Sequence, residues 1–311
     1  MNTASTENNR ARFRRVLAYI DAHLDDGLGV ERLSGVAAFS KYHFHRRFAA
    51  LLGIGVYQYV QLRRLKRASY LLAFRAERSI IDIALASGYE GPASFSRAFS
   101  RRVGQSPSDF RRQPRWDPWY TTFQTLSDSR VKLMMSPDFD GQVKIIQFGA
   151  TKVAAFEHRG DPRLIGDSLR RFIEWRRLHR LPPASSATFN IAYDDPDKGA
   201  PEDYRFDICA ATDGEVAANP FGVVGKTIPG GRCAVLRHIG SDETLGAAAR
   251  YLHAEWLPLS GEQPSGLAMF FQRVRFFPDV PEHEAVTDVF LPLSGHDSQP
   301  SGAGTLHRPL P

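Results

Sequence analysis

Ile80-Ile-Asp-Ile-Ala-Leu-Ala-Ser-Gly-Tyr-Glu-Gly-Pro-Ala-Ser-Phe-Ser-Arg-Ala-Phe-Ser-Arg-Arg-Val-Gly-Gln-Ser-Pro-Ser-Asp-Phe-Arg-Arg112 decides how the rest of this chain is read. Ile80, Ile83, Ala84 and Ser87 recur at three- and four-residue spacing, which predicts a short amphipathic helix over 80–86. Gly88 stands where a chain leaving a helix needs positive φ. Pro92 suits the first turn of a second helix, where its missing N–H costs nothing. On that helix Phe95, Ala98, Phe99 and Val103 face inward, and Ala93, Ser94, Ser96 and Arg97 face outward. A short helix, a glycine turn and a helix with small polar residues and one Arg on its outer face make a helix-turn-helix. Arg is the commonest specific reader of guanine in the major groove.

Residues 30–53 repeat this pattern. A shift of 51 lays Phe44 on Phe95, Arg46 on Arg97, Phe48 on Phe99 and Gly53 on Gly104. A shift of 50 lays Leu33-Ser34 on Ile83-Ala84 and Phe39 on Tyr89. Two helix-turn-helix units follow, the second with one extra residue in its turn. Ahead of them, Phe13, Val16, Leu17, Ile20 and Leu24 predict a helix over 10–24. Between them, residues 56–74 read as a helix with a basic face of Arg63, Arg64, Lys66 and Arg67. About 19 helical residues span roughly 28 Å. That length can hold two recognition helices near one DNA turn, roughly 34 Å, apart.

The signature IxDIAxxSGYxxxxxFSRAFxRxxGxSPxxFR resembles the second half of the AraC/XylS-family DNA-binding domain, and the internal repeat supports that resemblance. It implies an all-α double helix-turn-helix domain over 8–115 that binds double-stranded promoter DNA. By the resemblance, Tyr42, His45 and Arg46 of the first unit reach base edges, as do Pro92, Ala93, Ser94, Ser96 and Arg97 of the second. His45 is read either as a base contact or as a solvated surface residue. Arg101, Arg102, Arg111, Arg112 and Arg115 are read as phosphate contacts or as solvated charges. The chain departs from the family at Ala38, where the first turn usually carries Gly, and Ala tolerates positive φ poorly.

Charge agrees with a nucleic-acid contact made by the first part alone. Residues 1–115 hold 20 Lys+Arg and 9 Asp+Glu, and the remainder holds 20 and 25; the balances of +11 and −5 make up the chain's +6. At 311 residues, two domains are the default. No apolar run suggests a signal peptide or a membrane span, so a cytoplasmic protein is expected. Cys209 and Cys233 are read as free thiols, since no Cys or His spacing suggests a metal. No cofactor is expected.

Residues 116–142 hold Trp116, Trp119, Tyr120 and Phe123 and read as a linker whose aromatics dock on a domain. From 143 the pattern turns to strands, at 143–148, 153–158, 187–193 and 204–211, with a helix over 161–178. An offset of 80 then lays Ala154 on Ala234, His158 on His238, Gly166 on Gly246 and Phe172 on Leu252, while Trp175 falls one residue short of Trp256. Strands at 222–228, 233–238, 269–276 and 287–291 and a helix over 241–256 complete the second copy. This predicts an α+β domain over 143–293 made of two pseudo-symmetric ββαββ repeats, with a groove between them. Residues 294–311 are rich in Gly, Ser and Pro and are expected to be disordered.

The same half resembles the GyrI-like, or SHS2-repeat, effector-binding domain. The carriers are Tyr193-Asp-Asp-Pro-Asp, Tyr204-Arg-Phe-Asp-Ile-Cys209, Ile228-Pro-Gly-Gly-Arg-Cys-Ala-Val-Leu-Arg-His238, Glu255-Trp-Leu-Pro258 and Thr287-Asp-Val-Phe-Leu-Pro-Leu293. The resemblance implies a transcription regulator whose second domain senses a small-molecule effector, with RNA polymerase a further partner. Many relatives carry a groove-facing Glu in the penultimate strand; here Phe271 or Gln272 stands there. Gln cannot ionise, which weighs against a cationic ligand and against a hydrolase tethered to DNA, and no enzyme activity is expected. A protein-interaction module is the other alternative for this half. Candidate groove residues are Tyr193, Phe206, Trp256, Phe270 and Gln272, each aromatic being either groove lining or ordinary core. His158 and His238 are expected to hydrogen-bond locally, and Asp194, Asp195 and Asp197 to form a surface turn.

Overall fold

The computed structural model describes residues 3–134, 139 and 141–295; the tail expected to be disordered lies, from residue 296, outside them. The first half is all helical: α1 (Thr3–Ala22), α2 (Val30–Val36), α3 (Lys41–Leu52), α4 (Val56–Phe74), α5 (Ile80–Ala86), α6 (Pro92–Val103), α7 (Pro107–Arg112) and α8 (Trp116–Met134). Side chains set the boundaries. Ser40, Ser79 and Ser106 each accept a backbone N–H from the third residue on, capping α3, α5 and α7. Gly53 and Gly104 end α3 and α6 at φ 71° and 74°. The two turns have one backbone form, for Gly88 has φ 72° and Ala38, despite its side chain, has φ 52°. Phe44, Phe48, Phe95 and Phe99 are wholly buried, each contributing about 1.5–3 kcal/mol by leaving water.

Two features differ from the expected organisation. Residues 116–134 of the stretch read as a linker form α8, whose Trp116, Trp119, Phe123, Leu126 and Leu133 complete the helical core. Helical spacing of large apolar groups turned this stretch into a core element. The basic face of α4 is divided: Arg63 and Lys66 are buried with acidic partners, so only part of it meets solvent.

The second half is an eight-stranded antiparallel sheet of β1 (Lys144–Phe148), β2 (Thr151–Arg159), β3 (Thr188–Ala192), β4 (Arg205–Ala211), β5 (Val223–Ile228), β6 (Gly231–Ile239), β7 (Met269–Arg275) and β8 (Val286–Pro292). The strand order is β1-β6-β8-β7-β3-β4-β2-β5. Helix α9 (Ile165–Leu178) lies on one face, packing Phe172 and Trp175 on Phe156 and Ile208. On the same face, α10 (Leu245–Arg250), a π-helix (Tyr251–Trp256) and α11 (Leu257–Ser260) form one continuous segment over Leu236, Phe271 and Val289.

Among the described residues no helix packs on the other face, yet Phe189, Cys209, Phe270 and Phe290 on it are buried. Connection length explains this. Strands β1 and β2 stand six places apart in the sheet but are joined by residues 149–150 alone. Six strand spacings in a flat sheet would be about 29 Å, and a two-residue link reaches only about 10 Å. The sheet therefore curls over this face. The links 149–150 and 229–230 meet there: a Cβ on Gly230 would lie 2.7 Å from the Ala150 nitrogen. Phe148 closes the hollow against Phe270 and Phe290, at 4.8 and 5.4 Å between ring centres.

Candidate nucleic-acid interface and effector groove

The first recognition helix, α3, exposes its candidate readers. Tyr42 is 70 % exposed, and His45 and Arg46 also face solvent. On α6, Pro92, Ala93 and Arg97 are exposed, whereas Ser94 and Ser96 are half-buried. Ser94 Oγ donates to the Gly91 carbonyl at 2.9 Å, so its hydroxyl is engaged within the first turn. Arg46 and Arg97 thus stand exposed at matching positions on the outer faces of the two helices. Of the suggested phosphate contacts, Arg111 donates to the Arg78 carbonyl at 2.7 Å. Arg112 pairs with Asp109 at 2.6 Å, and Arg115 donates to the Gly104 carbonyl at 2.6 Å. Arg101 and Arg102 stand exposed at the end of α6.

One α4 residue fixes how the two units sit together. Arg64 donates to Leu24 O at 2.8 Å and Asp26 O at 2.7 Å, beyond the end of α1, and to Gly88 O at 3.3 Å in the second turn. Its guanidinium lies flat against Gly88, where a Cβ would come within 2.6 Å of Cζ. Gly88 is thus required twice, for its φ and for this contact.

The five groove candidates are not brought together. Phe206 and Trp256 lie on the helix-covered face, half-buried among the side chains under α9 and α10. Tyr193, Phe270 and Gln272 lie on the curled face. There Phe270 is buried and stacked on Phe290, 4.5 Å apart and 9° from parallel. Gln272 is half-buried on β7, opposite Phe189 of β3 and Asp288 of β8. By strand alternation Gln272 is on the side of Phe270, facing the hollow, and Phe271 faces the helices.

The hollow also holds charged residues that the sequence reading did not single out. Buried Asp207 accepts from Tyr193 Oη at 2.9 Å and from Lys226 Nζ at 2.6 Å, and Glu157 holds the same ammonium at 2.6 Å. Burial opposes the Lys226 charge, but hydrogen bonds to Asp207 and Glu157 outweigh it and hold the ammonium above its usual range. Asp288 is held bidentately by Arg237, at 2.7 and 2.8 Å. Both aspartates are therefore neutralised from within the chain. Their signal was the period-two alternation, which puts Asp207 and Asp288 on the side of Cys209 and Phe290.

The remaining residues are structural. Burial pushes both thiols up, Cys233 to about 11, so neither is a thiolate at neutral pH. His158 Nδ1 bonds Ser168 Oγ at 2.8 Å, and His238 Nε2 bonds Ser241 O at 3.1 Å. Burial lowers the pKa of both rings. Asp194 is engaged by Arg205 at 2.9 Å and Asp195 by Lys198 at 3.2 Å. Among the described residues, no three His, Cys, Asp or Glu side chains converge as metal ligands, and no helix is long and apolar enough to cross a membrane.

Comparison with known proteins agrees with this division. The GyrI-like small molecule binding domain family matches residues 141–294, and a helix-turn-helix domain family matches residues 33–113. The chain is 37 % identical over 153 residues to the "Probable transcriptional regulator YgiV" of Escherichia coli (strain K12), covering 49 % of this chain and 96 % of that protein. It is 33 % identical over 103 residues to the "Transcriptional regulator Rob" of Salmonella typhimurium, covering 33 % of this chain and 35 % of that protein. Among solved structures, the DNA-binding domain of AdpA in complex with a target DNA aligns at 30 % identity, covering 32 % of this chain and 94 % of that one, with a TM-score of 0.30.

Proposed function

The chain belongs to the AraC-type transcriptional regulators that carry a GyrI-like small-molecule-binding domain, and from this premise we propose which of its parts read DNA and which meet the effector. Residues 8–115, closed by α8, form the DNA-reading unit; residues 143–293 form the sensing unit. Arg46 and Arg97 read guanines from α3 and α6, with Tyr42, His45, Ala93 and Ser96 beside them. Ser94 holds the first turn of α6. Promoter DNA in the cytoplasm is the target, and RNA polymerase is the partner through which binding acts.

The sensing unit is two ββαββ copies about a pseudo-two-fold axis. Exchanging each strand with the one four later in the chain reverses the strand order onto itself, which supports this reading. Val153 and Cys233, equivalent on β2 and β6, are 80 residues apart, whereas Asp207 and Asp288, equivalent on β4 and β8, are 81 apart. The extra residue falls in the second helix, where the π-helix Tyr251–Trp256 takes it up by widening one turn. Had the extra residue carried on into β7, every side chain there would face the wrong way. The same residue accounts for the one-position mismatch between Trp175 and Trp256.

The effector site is the hollow of the curled face, reached beside Gln272, Tyr193 and the two aspartates. Its three acids, Asp207, Glu157 and Asp288, are matched by Lys226, Arg159 and Arg237, so it offers no free charge to a cation. The observation that carries the reading is Gln272: half-exposed, on the curled face, and with a side-chain amide that hydrogen-bonds to no other described residue. It suits an uncharged ligand with hydrogen-bonding groups, and having no titratable group it gives the site no acid or base step. The test is a thermal-melt screen of the full chain against neutral and cationic compounds. A ligand at 100 times its Kd adds about 2.7 kcal/mol. Neutral hits that Gln272→Ala abolishes support the reading; cationic hits indifferent to Gln272→Ala overturn it.

A further inference from the structure

The seam between the two halves encloses a cluster of charged side chains. Arg63 and Lys66 come from α4 and Arg130 from α8; Asp21 comes from α1. The other two members belong to the sensing half: Glu243, in the 3-10 turn Asp242–Thr244 that leads into α10, and Glu282, in the 3-10 turn Glu282–Glu284 between β7 and β8. All six side chains are at least nine-tenths buried. Arg63 Nη2 lies 2.9 Å from Asp21 and 2.7 Å from Glu282. Lys66 Nζ hydrogen-bonds Glu243 and lies 3.9 Å from Glu282. Arg130 reaches Asp21 at 2.5 Å and Glu243 at 3.3 Å. Ser127 and Tyr59 complete the shell, at 2.6 Å from Glu243 and 3.1 Å from Arg130.

Three cations meet three anions, so the cluster is neutral only when both halves contribute. The DNA-reading half supplies all three cations but only Asp21 as an acid. Its α4 is the helix that joins the two helix-turn-helix units, and Arg64, between Arg63 and Lys66 in sequence, clamps Leu24 and Asp26 in the connection leading into the first unit and Gly88 in the turn of the second. The contact goes on along α4, through Arg75 to Asp279 at 2.5 Å and Tyr70 against Phe277 at 5.0 Å. The position of α4, and with it the separation of α3 and α6, thus depends on acids that begin α10 and precede β8.

We propose that Glu243 and Glu282 are positioning residues for DNA binding: from the sensing half they hold Arg63 and Lys66 and so fix the spacing at which the two recognition helices meet DNA. They touch no DNA themselves. Rearrangement of the second copy's helix would move Glu243, and through Lys66 would move α4, which gives the sensing half a direct purchase on recognition geometry. The proposal rests on both recognition helices reading DNA.

The test uses the full chain and a duplex that this chain enriches from a random pool. One base pair is inserted or deleted between the two contacted segments, and affinity is measured for each spacing. The wild type should lose at least tenfold at the altered spacings. The Glu243→Gln/Glu282→Gln chain should bind the parent duplex more weakly and discriminate spacing by less than threefold. Should that chain not fold, Glu243→Gln alone serves, because Arg63 keeps Asp21 and Glu282; its discrimination should fall at least threefold, and Glu243→Asp should restore part of it. A folded variant that weakens all spacings equally, keeping the wild-type ratio, overturns the proposal. A wild type indifferent to spacing overturns the two-helix reading and the proposal with it.

Discussion

Glu282→Gln isolates the electrostatic part of the seam. The substitution keeps the side chain's size and one acceptor for Arg63 but removes one of three negative charges, leaving a buried site with an excess of one positive charge. Taking one partner from a buried pair costs about 3–5 kcal/mol, and since the amide still accepts a hydrogen bond the lower end applies, about 3 kcal/mol at pH 7. For halves of this size that is about 6–12 °C in Tm. The pH dependence has a definite sign. Burial opposes ionisation of Glu282, but Arg63, Lys66 and Arg130 outweigh it and hold the carboxyl far below its usual 4.5. A depressed carboxylate adds stability above the unfolded-state pKa and loses it as pH falls. The wild-type advantage should therefore be constant above pH 5 and shrink by about 1.4 kcal/mol per unit below 4.5. Calorimetry of both chains at pH 7 and pH 3.5 reads it: a gap of about 3 kcal/mol that narrows to about 1.6. A variant within about 0.5 kcal/mol of wild type at pH 7, on the order of the change expected for a surface site, would show that the Glu282 charge does not hold the seam, as would a gap that widens in acid.

Other consequences follow from single residues. Arg46→Ala and Arg97→Ala should each weaken binding to the enriched duplex by about 1–3 kcal/mol; equilibrium binding within threefold of wild type for both would remove them as base readers. Ala38→Gly should raise stability by about 0.5–1 kcal/mol, since Ala38 holds φ 52° against its own Cβ. Gly88→Ala should do the reverse and cost about 2 kcal/mol or more, by denaturant melts, because it combines φ 72° with a contact of 2.6 Å to Arg64. DNA affinity should fall steeply between 50 and 200 mM salt if phosphate contacts carry much of it; a flat response would contradict the basic first half as a DNA surface.

The DNA-reading half was largely legible because its signals are local. Phenylalanines at helical spacing, serine caps and turn glycines fix each unit within about twenty residues, and the 51-residue repeat doubles the signal. What was misread there depends on tertiary partners. Arg63 and Lys66 look like a solvated basic face until Glu243 and Glu282, some 180 to 220 residues away, arrive beside them. Trp116 and Trp119 sit in a stretch bounded by prolines, and packing of Trp116 on Phe74 and Phe110 and of Trp119 on Tyr70 makes them core. In the sensing half the strands were placed closely, but the groove was not. Tyr193, Phe270 and Gln272 share a face, whereas Phe206 and Trp256 lie across the sheet from them. Alternation along a strand separates the two faces but does not say which one the helices cover: Phe206 and its neighbour Asp207 on β4 point to opposite sides, and only the packing of α9 and α10 decides which side is which.

The proposed function requires that one chain read DNA with two helices held at a fixed spacing. Hydroxyl-radical footprinting of the full chain on its enriched duplex tests it most directly. Two protected windows are expected on one face of the DNA, about one helical turn apart, the first weakened by Arg46→Ala and the second by Arg97→Ala. A single window, or two that respond to neither substitution, would contradict it.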